Sequence, residues 1–348
     1  MGIERLYLGF VDSARAGSGM LAFAFFTLTC TVPDAYEIRQ MMRCSLAERA
    51  AKSKLERGAA ALREVAPSLV SEDVEGIHGA RVASRRLRAV IGAHRDIMDK
   101  SERRTLASAV QSVTAGLGVA RELDVTIELL NSRRMGLSGA ERYACTHTLV
   151  RLRALRKQEC DAISASANLI VSEKFEAAVG AVVKSVRRPK HCYLTEAQKV
   201  LRNRRRELWR AQELWIESPA EETLHRVRIA FKKLRYACEQ YGDLYGKELK
   251  RFVKALRGIQ DDLGIWNDFR VARGYVLTSA EGAEPMAASG IAPLAELLDG
   301  EAAKHLDAYR TMSTAFFSGE HRDRLKRIFK DVKAPCCRKR KKGWFNDE

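Results

Sequence analysis

Proline and glycine are scarce, at 7 and 23 of 348 residues. A turn-dense all-β chain needs many more of both, so that class is excluded. No C-x-x-C occurs, and no histidine stands at zinc-ligand spacing beside a cysteine pair. The eight cysteines are Cys30, Cys44, Cys145, Cys160, Cys192, Cys238, Cys336 and Cys337. They read as small apolar groups of a reducing compartment, with no metal site and no disulfide framework. A membrane-spanning helix needs about 20 apolar residues, and the stretch Met20–Val32 has only 13. That stretch has the length of a signal-peptide core, with Arg5 and Arg15 upstream, but no A-x-A cleavage site follows it. Residues 1–42 therefore read as an unstructured extension, or as sequence ahead of a true start at Met41 or Met42. The expected location is cytoplasmic.

What is present is hydrophobic residues enough for a core, 46%, and a large positive surplus: 61 Lys and Arg against 44 Asp and Glu, a net charge of +17. Wholesale disorder is excluded, and the charge points to a polyanionic partner. From residue 43 to 332 nearly every segment has helical spacing. Helices are expected near 45–66, 72–98, 101–117, 119–133, 139–167, 172–186, 196–216, 219–242, 247–262, 265–280, 292–317 and 320–332. Pro67, Pro189, Pro219, Pro285 and Pro293 fall between or at the starts of these segments. Ser138 to Glu141 and Ser218 to Glu221 read as capping boxes, and Ser101 and Thr195 as further N-caps. The fold class is all-α. Residues 333–348 form a tail whose run Arg338–Lys342 is either solvated or an auxiliary polyanion contact.

The chain also repeats itself. His78-Gly-Ala-Arg81-Val-Ala-Ser-Arg85-Arg86-Leu87-Arg88 aligns without gaps on His225-Arg-Val-Arg228-Ile-Ala-Phe-Lys232-Lys233-Leu234-Arg235. Both fit H-x-x-R-x-x-x-[RK]-[RK]-L-R. Downstream, Leu117-Gly118 aligns on Leu263-Gly264 at nearly the same offset. Two matches in one order imply a duplicated helical unit of about four helices, each half docking on its twin. The repeats are placed at about 43–135 and 195–332, joined by connecting helices at about 138–187. The Leu-Gly motifs read as tight turns that open a helix.

With His78 at zero on a helix, Arg81, Arg85 and Arg88 fall at about −60°, −20° and −80°. His225, Arg228, Lys232 and Arg235 trace the same stripe, opposite an apolar arc. A solvated face normally mixes signs, because like charges one turn apart repel. Yet no Asp or Glu occurs from Gly76 to Arg95 or from Thr223 to Cys238. A bound polyanion relieves such repulsion. His78 and His225 suit phosphate donors better than metal ligands or nucleophiles, with a buried structural role as the alternative. Lys52, Lys199, Arg202, Arg206, Lys254 and Arg257 on neighbouring helices rank second, since glutamates intersperse them. Arg121, Glu122, Asp124 and Asp268 read as capping and ion-pair residues. No catalytic residue, metal or cofactor is assigned.

At these paired motifs the sequence resembles the conserved histidine α-helical domain family, CHAD, over roughly residues 43–332. The resemblance implies two four-helix bundles related by a pseudo-twofold axis, with basic helices lining a central cavity or groove. It further implies inorganic polyphosphate as partner and association with polyphosphate granules. Contacts would come from Arg81, Arg85, Arg86, Arg88, Arg228, Lys232, Lys233 and Arg235, with His78 and His225 beside them. Glu122 stands where the family more often has Asp. Relatives with a triphosphate-processing domain carry an E-x-E-x-K strand, whereas only Ile3-Glu4-Arg5 occurs here, so that activity is not implied. Sequence-independent nucleic-acid binding is the runner-up. It would want Asn, Gln or exposed aromatics among the basic residues, and the stripes have none. A phosphoryl-transfer enzyme lacks a Gly-rich phosphate loop. Oligomeric state is not legible.

Overall fold

In a computed structural model the chain is described over residues 35–137, 139–188 and 193–330, and every element there is helical. The Met20–Val32 stretch, the Ser138 cap and the basic tail lie outside the described residues. The helices are α1 (Ala35–Glu64), α2 (Ala66–Val70), α3 (Val74–Ala93), α4 (Lys100–Gly116), α5 (Gly118–Arg134), α6 (Gly139–Gln158) and α7 (Cys160–Val171). Then follow α8 (Glu173–Ser185), α9 (Tyr193–Glu217), α10 (Glu221–Gln240), α11 (Lys247–Thr278), α12 (Pro285–Phe316) and α13 (Gly319–Lys330). Short 3₁₀ turns at Arg95–Ile97 and Gly242–Leu244 follow α3 and α10. No helix among the described residues is long and apolar enough to cross a membrane.

Helix starts differ from the expected caps. Asp73 opens α3 by accepting the Gly76 N–H at 2.9 Å. Asp99, not Ser101, caps α4, taking the N–H groups of Ser101 and Glu102 at 2.7 and 3.2 Å. A carboxylate there also meets the positive end of the helix dipole. α10 begins at Glu221, two residues after Pro219, where the Thr223 hydroxyl accepts the Ala220 N–H at 3.0 Å. Thr195 lies inside α9.

Two expected breaks are absent. α11 runs unbroken through Leu263-Gly264, and α12 runs through Pro293 with Pro285 at its start, where the missing N–H costs nothing. Ile291, Leu294, Ala295 and Leu298 are buried on either side of Pro293, and this shared apolar face holds the helix together where one backbone bond is lost. In the first half the Leu-Gly motif does separate one helix from the next: Leu117 ends α4 and precedes α5, its side chain wholly buried.

The buried apolar residues form two cores. One gathers α1 to α4, the start of α5, α7 and α8; the other gathers the rest of α5, α6 and α9 to α13. Helix α5 links them, with Ala120 in the first core and Leu123 and Leu130 in the second. The segment expected to connect the repeats is itself core: Leu149 and Leu152 of α6 belong to the second, and Ile163 and Phe175 of α7 and α8 to the first. Each such fully buried side chain is worth about 1.5–3 kcal/mol. Element bounds recur at one spacing: 74 and 221, 93 and 240, 95 and 242, 100 and 247 each stand 147 apart. α3 packs on α10, and His94 and Tyr241, also 147 apart, are ring neighbours at 5.9 Å.

The glycines separate a close approach from an open helix. A Cβ on Gly290 would lie 2.0 Å from the carbonyl oxygen of Ala140, where α12 crosses the start of α6. Nothing lies within 4 Å of the equivalent point on Gly264. Gly290→Ala is therefore expected to lower stability by about 1–3 kcal/mol, as overpacking does. Gly264→Ala is expected to raise it by about 0.5–1 kcal/mol, because alanine suits an unbroken helix. Urea midpoints measure both, and a destabilised Gly264→Ala would contradict a continuous α11.

Candidate functional site

The buried faces of α3 and α10 decide where their charges go. Ile77, Ala80, Leu87 and Ile91 on α3, and Val227, Ala230, Phe231 and Leu234 on α10, sink into the cores. The arcs beside them face each other across an open cavity of about 400 Å³, lined by α3, α5, α10 and α11. From α3 the wall takes His78, Arg81 and Arg85, and from α10 His225, Arg228 and Lys232. α5 adds Gly118, Arg121, Glu122, Val125 and Thr126, and α11 adds Asn267, Asp268, Arg270 and Val271. Six Arg or Lys and two His thus share the wall with two carboxylates.

Local structure fixes several of these groups. The Arg81 guanidinium donates from Nη1 to the carbonyl of Thr114 at 3.0 Å. That carbonyl is among the last four of α4, which lack helical partners and sit at the negative end of the dipole. Gly118 lies beside the guanidinium, where a Cβ would make ordinary contact with Arg81 Nη1 at 3.5 Å. Arg270 pairs with Glu221, while Glu122 accepts the hydroxyl of Tyr275 at 3.0 Å. Buried Nε atoms of Arg85, Arg228 and Arg270 have no acceptor among the described residues. Each unmet donor costs about 1–3 kcal/mol.

Proton affinities record the crowding. Burial, then Arg121, lowers His78; burial, then Arg228 and Lys232, lowers His225. Burial lowers Arg81, with Arg85 and Arg121 adding to it, and lowers Arg228 against the pull of Asp268. Lys232 is pushed down to about 7 by burial, Arg228 and Arg85. Burial also raises Asp268, outweighing Arg228 and Lys232. The site holds more positive charge than it can comfortably ionise.

The other expected contacts lie elsewhere. Arg86, Arg88 and Lys233 are exposed and off the wall. Arg235 and Arg257 both reach Glu239, at 3.4 and 3.1 Å. Lys52 pairs with Glu48 at 2.7 Å and Lys199 with Asp96 at 3.4 Å. Arg202, Arg206 and Lys254 are exposed. None of these six neighbouring-helix cations lines the cavity. Conversely, Arg121, Glu122 and Asp268, read as capping and ion-pair residues, are wall residues, as are the unassigned Asn267 and Arg270. Their signal was the Leu-Gly repeat, which places positions 121–122 and 267–268 one turn downstream in both halves. Asp124 does form an ion pair, with Arg156 Nε at 2.8 Å. No group of three or more His, Cys, Asp and Glu among the described residues is arranged to hold a metal ion. The chemistry on the wall is that of anion binding: dense positive charge and N–H donors.

The CHAD domain family's sequence model matches residues 53–277. Solved structures share the fold, among them two CHAD-type neighbours. The CHAD domain from the plant Ricinus communis is 22% identical, with a TM-score of 0.59 over 76% of this chain and 90% of that one. PptA from Streptomyces chartreusis is 16% identical, with a TM-score of 0.60 over 77% of this chain and 99% of that one. No curated protein matches the chain.

Lys232 makes stability depend on pH. Its affinity for a proton is lower folded, about 7, than unfolded, 10.5, so between these values the unfolded chain binds more protons and stability rises with pH. Cys145 and Cys238, raised by burial from 9.0, contribute the opposite slope above pH 9. Unfolding free energies from urea melts between about pH 7 and 8.5 are therefore expected to climb, by at most about 1.4 kcal/mol per pH unit. Lys232→Met should flatten this climb. A variant with the wild-type slope would place the titration elsewhere.

Proposed function

The chain belongs to the CHAD domain family, and from that membership and the charge on the cavity wall we propose that it binds inorganic polyphosphate without catalysing its turnover. The observation that carries this reading is the convergence of six Arg and Lys side chains from four helices on one cavity with only two carboxylates. The family is associated with polyphosphate. A phosphate chain supplies closely spaced charge and oxygen acceptors but no bases, and this wall offers no Phe, Tyr or Trp for stacking and a single amide, Asn267. That composition favours polyphosphate over nucleic acid.

Direct phosphate contacts fall to Arg81, Arg85, Arg121, Arg228, Lys232 and Arg270, with His78 and His225 as donors at the start of each stripe. Arg86, Arg88, Lys233 and Arg235 supply the outer field that draws the polymer in. An internal duplication belongs to the same reading: two helical halves about a pseudo-twofold axis, with α3 and α10 as equivalent walls. The common 147-residue spacing and the His94–Tyr241 contact support it. Retention on polyphosphate granules in the cytoplasm follows as the cellular consequence.

The test is competition binding by fluorescence anisotropy across a salt series. Labelled polyphosphate is displaced by unlabelled polyphosphate, single-stranded DNA or double-stranded RNA at matched phosphate concentration. The fourfold variant Arg81→Ala, Arg85→Ala, Arg228→Ala and Lys232→Ala should lose at least about 100-fold in affinity, since hydrogen bonds to charged groups contribute about 1.5–3 kcal/mol each. Wild-type affinity should also rise as pH falls from 8 to 6, because bound phosphate restores protons to Lys232, His78 and His225. Equal competition by nucleic acid, or full affinity in the variant, overturns the reading.

A further inference from the structure

Outside the cavity, the second half carries another concentration of positive charge. Arg205 and Arg206 each lie about one turn from Arg202 on α9, and α13, which packs against α9, brings Arg322 close to Arg205. The junction of α12 and α13 is fixed there by Trp209, whose ring meets Phe317 at 5.0 Å and Phe316 at 5.8 Å. The Arg205 guanidinium lies over the Trp209 ring at 5.6 Å and is half-buried.

This cluster is unneutralised. Nearby carboxylates are already engaged, Glu207 by Arg204 at 2.8 Å and Asp323 by Lys326 at 2.7 Å. None of the four arginines has a carboxylate within 4.0 Å among the described residues. Burial lowers the proton affinity of Arg205, and Arg206, Arg322 and Arg202 lower it further, with Asp323 a weak opposing charge. Nor does the fold require arginine at this place. At a spacing of 146 the buried Ala51, Leu55 and Leu62 of α1 match the buried Ala197, Leu201 and Leu208 of α9. By that register the first half has Ala59, fully buried, where the second has Arg205. An apolar position has become a charged one, on one half only.

We propose that the α9–α13 face is a second phosphate-chain contact, occupied together with the cavity by one long polyphosphate molecule. This rests on the polyphosphate reading of the cavity. α9 packs on α10, whose inner side forms the cavity wall, so the two contacts are separated by about the width of two helices, roughly 20 Å. A long flexible chain reaches both and gains from the high effective concentration of its second segment. A chain of three phosphates occupies one contact at a time.

The experiment uses the full chain with two probes, a labelled polyphosphate of about a hundred units and tripolyphosphate. It compares wild type, a cavity variant (Arg85→Ala, Arg228→Ala and Lys232→Ala) and an outer variant (Arg202→Ala, Arg206→Ala and Arg322→Ala). The outer substitutions leave Arg205 in place over Trp209. The outer variant should bind the long chain at least about tenfold more weakly, with the slope of log affinity against log salt shallower by about 2 for three lost phosphate contacts. Its tripolyphosphate affinity should match wild type. Wild-type long-chain affinity and salt slope in the outer variant, while the cavity variant loses tripolyphosphate, would overturn the second contact and leave the cavity reading intact. Wild-type tripolyphosphate binding in the cavity variant would overturn the cavity reading, and simultaneous occupancy with it.

Discussion

Repulsion between like charges held face to face is the constraint around which this molecule is arranged. At an effective dielectric of about 20, two unit charges about 4 to 8 Å apart repel by roughly 2–4 kcal/mol. The wall of one cavity carries six Arg and Lys. The helices bearing most of them cannot turn away, because Leu87 and Ile91 on one and Phe231 and Leu234 on the other are locked in the cores. Apolar burial on one side of α3 and α10 thus enforces electrostatic crowding on the other. The protein relieves some of it locally. Arg81 leans on the carbonyl end of α4, the charge of Asp268 favours the Arg228 cation, and the proton affinity of Lys232 is pushed down to about 7. What remains is the repulsion that the proposed polyanion would relieve.

The two Leu-Gly motifs show how equivalent sequence serves unequal local needs. In the first half the chain breaks at Leu117, and the break leaves the carbonyl end of α4 open to the Arg81 guanidinium, which seats there. In the second half α11 continues past Gly264, no neighbour approaches it, and Arg228 has no helix end to lean on but feels the opposite charge of Asp268. One arginine is held by the end of a helix, while its counterpart has a carboxylate only in its electrostatic surroundings. The wall is correspondingly uneven. Arg121 faces the cavity at the position where the second half has Asn267, and Arg270 stands where the first half keeps Asp124 for Arg156.

Helical periodicity, the shortage of turn residues and the absence of acids from both stripes made the all-α class and the six central wall residues legible in the sequence. The limits have physical causes. The angle on a helix wheel says which way a side chain leaves the axis, not how far the facing wall extends. Arg88 shares an angle with Arg81 but lies two turns beyond it, outside the cavity. Arg121 and Arg270 were hidden because each is near an acidic residue in sequence, and mixed sign reads as a solvated face until the fold shows that both signs point inward. Pro293 and Gly264 are residues that locally favour a break. Tertiary burial on both sides of each outweighed the local preference.

The proposed duplication bears on which polyanion suits the site. Walls related by a twofold axis present the same donors in opposite directions along the groove between them. An inorganic phosphate chain reads identically from either end, so both walls meet the same ligand in the same way. A nucleic-acid strand has a direction, and two walls of opposite sense would meet it differently, one of them always with its donors set against sugars and bases in the reverse order. The departures from symmetry, Arg121 against Asn267 and Arg270 against Asp124, change how much charge each wall presents but add no group that reads direction. On the proposed reading, a ligand without polarity is one that both copies of the basic helix can bind at once, and that advantage gives a physical reason for two copies of the stripe with no acid in either.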